Sequence, residues 1–248
     1  MEVIIGDPDR LRAVAEDFIN HYESRVAEGA TVAGKAMFVC SNRYIAYDLY
    51  KIIVELRPEW AEKKVAADGV ELNEKDKKEL KAIEKIKMVM TRNKDDEPEL
   101  YNMLGTKDDR KEFDRQFKNP KSNFKIAIVV DMWLTGFDVP ELDTIYIDKP
   151  IQQHTLIQTI SRVNRVCEGK EKGLIVDYIG IKKNMNMALK KYTNFESEEF
   201  EGVEQSVNIV KDQLEVLGQM FHNFNSRDFF EGSPTEQLAC LNRAVEYV

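Results

Sequence analysis

The sequence predicts an α/β protein: a parallel sheet covered by helices on both faces, followed by a small all-helical appendage. Three observations carry this. Short apolar runs at residues 35–40, 87–91, 125–130, 144–148 and 173–178 read as strands. Helical patterns stand before, between or after them, and that alternation implies parallel strands with helices packed on both faces. From about residue 181 the pattern turns helical throughout. The organisation expected is therefore an α/β domain over 1–185 and the start of a helical domain over 186–248. A chain of 248 residues, 43% hydrophobic and 32% charged, is long enough for one sizeable core with such an appendage.

Asp7-Pro8 opens the first helix, a capping Asp followed by Pro at the first helical position. Leu11, Val14, Ala15, Phe18, Ile19 and Tyr22 then recur at helical spacing until Gly29. The strand KAMFVC follows. Ser41 and Asn42 stand as caps for a helix bearing Ile45, Leu49, Ile52, Ile53 and Leu56, which Pro58 ends. Residues 61–87 mix Lys and Glu densely and read as a solvated insertion or helix. After the strand KMVMT, Thr106 with Asp109 makes a capping-box-like start for a helix carrying Phe113 and Phe117, broken at Asn119-Pro120. Near the end, Val203, Val207, Val210, Leu214, Leu217, Phe221 and Phe224 alternate spacings of four and three, a helix with one apolar seam. Ser233-Pro234 opens another helix, with Leu238, Leu241 and Val245 expected on one face.

Composition excludes several classes. No apolar run approaches the roughly 18 residues that span a membrane, and the start MEVIIGDPDR lacks a basic-then-apolar export signal. Cys40, Cys167 and Cys240 are widely spaced without a Cys-x-x-Cys, which disfavours a zinc ribbon or disulfide framework and fits a reducing cytoplasm. A formal net charge of −8 argues against a generally basic surface, so any nucleic-acid contact must be local. Gly29-ATVA-Gly34-Lys35-Ala36 nearly fits the phosphate loop G-x-x-x-x-G-K-S/T. However, Ala36 has no hydroxyl for magnesium, and the motif needs a strand before it and a helix after it. Here the order is reversed, so the segment reads as a helix-to-strand turn.

The informative stretch is 131–165. It reads DMWLTGFDVP, ELDTIYIDKP and IQQHTLIQTISRVNR. Gln158, Arg162 and Arg165 are spaced to share one stripe of a helix predicted over 153–165, near the carboxyl ends of the strands. Guanidinium is a permanently charged planar fork that matches phosphate oxygens. In Thr135-Gly136-Phe137-Asp138, the glycine lets backbone approach a ligand, and Asp138 can accept from a ribose hydroxyl or orient an arginine. A surface salt-bridge face and a plain turn are the competing readings of the two features taken singly.

The runs D-M-x-L-T-G-F-D, Y-x-D-K-P, Q-x-I-x-R-x-N-R-V and D-Y-I-G resemble motifs V and VI of superfamily 2 helicases. The branch they resemble is the restriction (R) subunit of type I restriction-modification enzymes. KAMFVCSNRYIAYDLY is similar to its motif IV. The resemblance covers about residues 1–190 well and 190–248 more loosely. It implies a RecA-like sheet of P-loop NTPase type, the second motor lobe of a cytoplasmic, ATP-dependent translocase of double-stranded DNA within a restriction endonuclease. It implies that Arg165 is an arginine finger and Arg162 its partner on the phosphates, with Gln158, Gly136 and Asp138 completing the nucleotide side. Asn42, Arg43, Thr91 and Thr135 would touch the DNA backbone. ATP and Mg2+ would be anchored mainly by a first RecA-like lobe, and neither is expected to be held by this chain alone. Partners implied are that lobe and a nuclease domain of the same polypeptide, the modification and specificity subunits, and DNA. The chain has neither a phosphate loop nor an Asp-Glu box after an apolar strand, so it looks like a fragment that is inactive in isolation. The alternatives are a lobe of another superfamily 2 DNA-dependent ATPase, or a non-catalytic helical scaffold.

Overall fold

The computed structural model describes residues 5–134, 136–151, 153–180 and 224–247. The chain forms two compact units, Met1–Asn194 and Phe195–Val248. The first contains α1 (Pro8–Ala27), β1 (Lys35–Cys40), α2 (Arg43–Leu56), α3 (Glu74–Glu79), β2 (Ile86–Val89), α4 (Pro98–Leu104), α5 (Lys107–Lys118), β3 (Ile126–Val129), β4 (Leu142–Asp148), α6 (Gln153–Val163) and β5 (Leu174–Asp177). The second contains α7 (Arg227–Glu231) and α8 (Pro234–Tyr247).

The five strands form one sheet in the order β2-β3-β1-β4-β5, and every pairing is parallel. Alternate residues of each strand serve opposite faces. Phe38, Cys40, Met88, Ile126, Ile128 and Tyr146 join one core with α1, α2 and α4, while Met37, Val39, Val89, Ala127, Val129, Ile145 and Ile147 join the other with α5 and α6. Strands buried on both faces need continuous apolar runs, which is why the sequence reads so clearly at these positions. This is the parallel α/β sheet covered on both faces that the sequence led us to expect.

The helix ends follow their capping chemistry. Asp7 accepts from the Arg10 amide, and the six apolar residues named for α1 are its buried face. Thr106 and Asp109 form a reciprocal capping box on α5. At α2 the cap is Asn42 alone, because the Ser41 hydroxyl donates instead to the Asp148 carbonyl at 2.7 Å. Residues 61–87 are mostly irregular chain around the short α3, pinned to the core by Leu80 and Ile83. Helix α4, opened by Pro98, has no counterpart in the sequence reading.

The helix expected from Ser233-Pro234 forms as α8, with Leu238 and Leu241 exposed and Cys240 buried. One correction concerns a helix. The helix predicted over 153–165 stops at Val163. Beyond it, the Arg165 carbonyl accepts from the Lys170 ammonium at 2.8 Å rather than from a helical amide, and Cys167 and Lys170 close a tight antiparallel turn. The seam from Val203 to Phe221 lies outside the described residues.

Candidate functional site

The residues singled out in the sequence fall into two groups. The first lies where β1 and β2 end. Asn42 Oδ1 accepts from the amides of Tyr44 and Ile45, each at 3.0 Å. Arg43 reaches across to the chain after β2, donating to the Thr91 carbonyl at 2.8 Å and to Asp96 at 2.9 Å. Asn42, Arg43 and Thr91 are therefore brought together, but the oxygen of Asn42 and one guanidinium nitrogen of Arg43 are already committed. Thr135 lies outside the described residues.

The second group forms where the last turn of α6 meets the loop between β3 and β4. That connection crosses β1 without a helix. Its Trp133, Leu134, Phe137 and Val139 fill the core where a crossover helix would otherwise pack. Trp133 and Phe137 stack face to face with ring centroids 4.0 Å apart, and Phe117 and Phe124 close the cluster. Trp133 adopts a left-handed backbone (φ 68°), which costs a bulky residue about 1–3 kcal/mol and persists only where packing enforces it. Gly136 is also left-handed (φ 72°), and a Cβ there would meet nothing within 4 Å, so a ligand has open access to this backbone.

Arg162 donates through Nε to the Leu134 carbonyl at 3.0 Å and through a terminal nitrogen to the Phe137 carbonyl. Burial lowers its pKa, Arg165 lowers it further, and Asp138 opposes them. With a starting value above 12 it stays charged. Arg165 pairs with Asp138, both side chains being about half exposed at 47% and 51%. The side chain of Gln158 makes no hydrogen bond among the described residues.

This second group is not at the carboxyl ends of the strands, as the sequence reading had it. A Cβ on Gly173 would lie 2.1 Å from the Val163 carbonyl oxygen, and the neighbouring Leu174 pairs with Thr144 near the start of β4. Lys170 ties the Arg165 carbonyl to that of Pro140, just before β4 begins. α6 thus runs down the sheet and delivers its arginines near the opposite end. No group of three or more His, Cys, Asp or Glu able to hold a metal occurs among the described residues, and none of their helices is long and apolar enough to cross a membrane.

Residues 33–180, more than half the chain, match the family described as type I restriction enzyme subunit R domain 3. The chain belongs to this family. Residues 183–248 match the C-terminal family of subunits like the HindI type I restriction endonuclease subunit. The HindI subunit of Haemophilus influenzae is 38% identical over 225 residues, 89% of this chain and 20% of that protein. The SsaAORF53P type I endonuclease subunit of Staphylococcus saprophyticus is 49% identical over 72 residues, 29% of this chain and 8% of that protein. A solved fragment assigned to the HsdR subunit of a type I restriction enzyme from Vibrio vulnificus overlaps 72% of this chain and 30% of its own, at 15% identity and a TM-score of 0.46. The R-subunit chain described here spans about a fifth of the length of the first of these relatives.

Several residues that shape the R-subunit site escaped the sequence reading. Gly173 permits the close approach of β5 to the end of α6. Lys170, buried, ties the arginine segment to Pro140. Lys149 donates to the Val130 carbonyl at 3.1 Å and to Asp131 at 2.5 Å, fixing the start of the loop. Only the Y-x-D-K-P run hinted at the last of these.

Proposed function

We propose that this chain is the second motor lobe of an ATP-dependent translocase of double-stranded DNA within a type I restriction endonuclease R subunit. ATP is the substrate, gripped mainly by another lobe that also anchors Mg2+. Arg165 approaches the polyphosphate from this side, with Asp138, Gly136 and Gln158 around it. Asn42, Arg43, Thr91 and Thr135 belong to the DNA side, and the modification and specificity subunits are the partners of the whole enzyme. The observation that carries the reading is that Arg162 binds the carbonyls of Leu134 and Phe137 while Arg165 pairs with the Asp138 carboxylate, beside an open Gly136.

The energetics suit a finger. A half-exposed Arg165–Asp138 pair contributes about 0–1 kcal/mol. Transfer of Arg165 to a phosphate therefore costs little, and Asp138 holds the guanidinium near its station meanwhile. As the γ-phosphoryl group leaves, charge grows on its oxygens, and a fork already in position stabilises that charge without reorganisation. Arg162 is the partner of Arg165 on the phosphates, and its bonds to the carbonyls of Leu134 and Phe137 also hold the loop in shape.

The test is Arg165→Ala in the full-length subunit. DNA-stimulated ATP hydrolysis should fall by roughly 10³-fold or more, with a much smaller change in nucleotide affinity. Arg165→Lys should recover little, because a point charge lacks the fork. Single-turnover hydrolysis at near-wild-type rate in Arg165→Ala would make this arginine merely structural.

A further inference from the structure

We infer that the phosphate contacts beside the ends of β1 and β2 are made by Tyr44, Arg92 and Lys94, and that Arg43 is a positioning residue that presents them to the DNA backbone. The inference rests on the reading above and names part of its DNA surface. Arg43 is poorly suited to binding a phosphate itself. Its side chain is only 19% exposed, one terminal nitrogen serves both Thr91 and Asp96, and its Nε is buried without a partner. The Asp96 side chain is 1% exposed and also accepts from the Asn93 amide at 2.6 Å. Arg43 and Asp96 together therefore lock the turn after β2 into one shape.

That turn carries two cations, a half-buried Arg92 and an exposed Lys94, among exposed carboxylates. The Arg92 guanidinium lies 4.3 Å from the centre of the Tyr101 ring. That contact holds the guanidinium against the ring, and its nitrogens make no hydrogen bond among the described residues. Lys94 is exposed, and among the described residues neither cation forms an ion pair. Tyr44, in the first turn of α2, is 63% exposed. Contacts from Arg43 to Thr91 and from Tyr47 to Glu99 lay that end of α2 along the same segment. Two cations on a segment beside a tyrosine hydroxyl match a sugar–phosphate backbone better than an acidic peptide, for which the hydroxyl and the flat fork bring less. The exposed Asp95 and Glu97 of the same loop oppose the attraction, so the contact is weak and tuned by salt.

The test is fluorescence anisotropy of this chain with duplex DNA across a salt series. Arg92→Ala and Lys94→Ala should each weaken binding roughly 3- to 10-fold and lower the salt slope by about one. Tyr44→Phe should weaken it without changing the slope, since a hydroxyl releases no counterion. Asp96→Asn decides the role of Arg43 by sign. If Arg43 is a phosphate ligand, removing its carboxylate partner tightens binding; if Arg43 positions the turn, binding loosens although a negative charge has gone. Arg43→Lys, which keeps the charge and loses the clamp, covers the case in which Asp96→Asn melts early. Tighter binding by Asp96→Asn, wild-type slopes in Arg92→Ala and Lys94→Ala, or equal competition by polyglutamate would overturn the inference. A wild-type chain that does not bind duplex DNA at all would sink the DNA side of the functional reading as well.

Discussion

Lys35 illustrates what a side chain's surroundings decide. In sequence it sits in a near copy of a phosphate loop. In the fold it is 1% exposed at the foot of β1, and its ammonium donates to the carbonyls of Asn119 and Phe124. The order of helix and strand was enough to reject the motif, but these partners come from about 85 residues away and no local pattern announces them. Lys125 is a second cation at the foot of a strand, donating to the Pro120 carbonyl at 2.6 Å. Burial, aided by Lys85 and opposed by Asp143, lowers its pKa to about 8. An unfolded lysine titrates near 10.4, so between the two values the unfolded chain holds a proton that the folded chain has released, and stability rises with pH. Above about 10 the sign reverses. Tyr22, Tyr146 and Tyr178, all raised by burial, keep protons that the unfolded chain loses. Comparing urea midpoints of wild type and Lys125→Met isolates the lysine, because the tyrosines are common to both. The difference should shift in favour of wild type by up to about 3 kcal/mol from pH 7.5 to 10.5. A difference flat with pH would mean that the ammonium stays charged in the fold.

Elements were legible to the degree that their signals are local. Buried strands are mostly apolar, and capped helices need Asp, Asn or Thr at one place, so β1 to β4, α1, α2 and α5 could be read, and the half-buried β5 from its run Leu174–Val176. α4 has Pro98 but no side-chain cap on Glu97 and spans only seven residues, which leaves little periodicity to detect. The loop from 130 to 141 was legible as a motif and illegible as a structure. Its shape depends on Trp133 stacking on Phe137 against Phe117 and Phe124, contacts that exist only after the sheet has formed. The end of α6 was missed for a similar reason, since Gly173 and Lys170 fix it from the far side of a turn. This gives a test at the scale of the element. A methyl group at residue 173 would lie 2.1 Å from the Val163 carbonyl oxygen and 2.5 Å from its Cγ2, so β5 and α6 must part. Gly173→Ala should cost about 1–3 kcal/mol of stability, as overpacking does elsewhere. Glu171→Ala, at an exposed neighbour, should stay within about 0.5 kcal/mol. Equal denaturation midpoints for the two variants would show that the helix end is not held by this contact.

At the scale of the molecule, the two groups of candidate residues lie toward opposite ends of one sheet, and the loop between β3 and β4 runs from one to the other. It begins at Asp131, paired with Lys149 beside the strand ends, and reaches Asp138, paired with Arg165. In the functional reading, the main grip on the nucleotide belongs to another lobe. The sequence has no G-x-x-x-x-G-K-S/T, its nearest approach being the buried Lys35, and its described residues offer no metal cluster. A finger stabilises charge on a phosphate that something else must hold: an arginine contributes roughly 10³–10⁵ in rate only where phosphate and metal are already in place. We therefore expect this 248-residue chain to show no DNA-stimulated ATP turnover at steady state, while still binding duplex DNA weakly and with steep salt dependence. Arg165→Ala is the control that separates this from contamination. Turnover that copurifies with the chain and is abolished by Arg165→Ala would mean that a complete site forms within these residues, and the division of labour between two lobes would have to be abandoned.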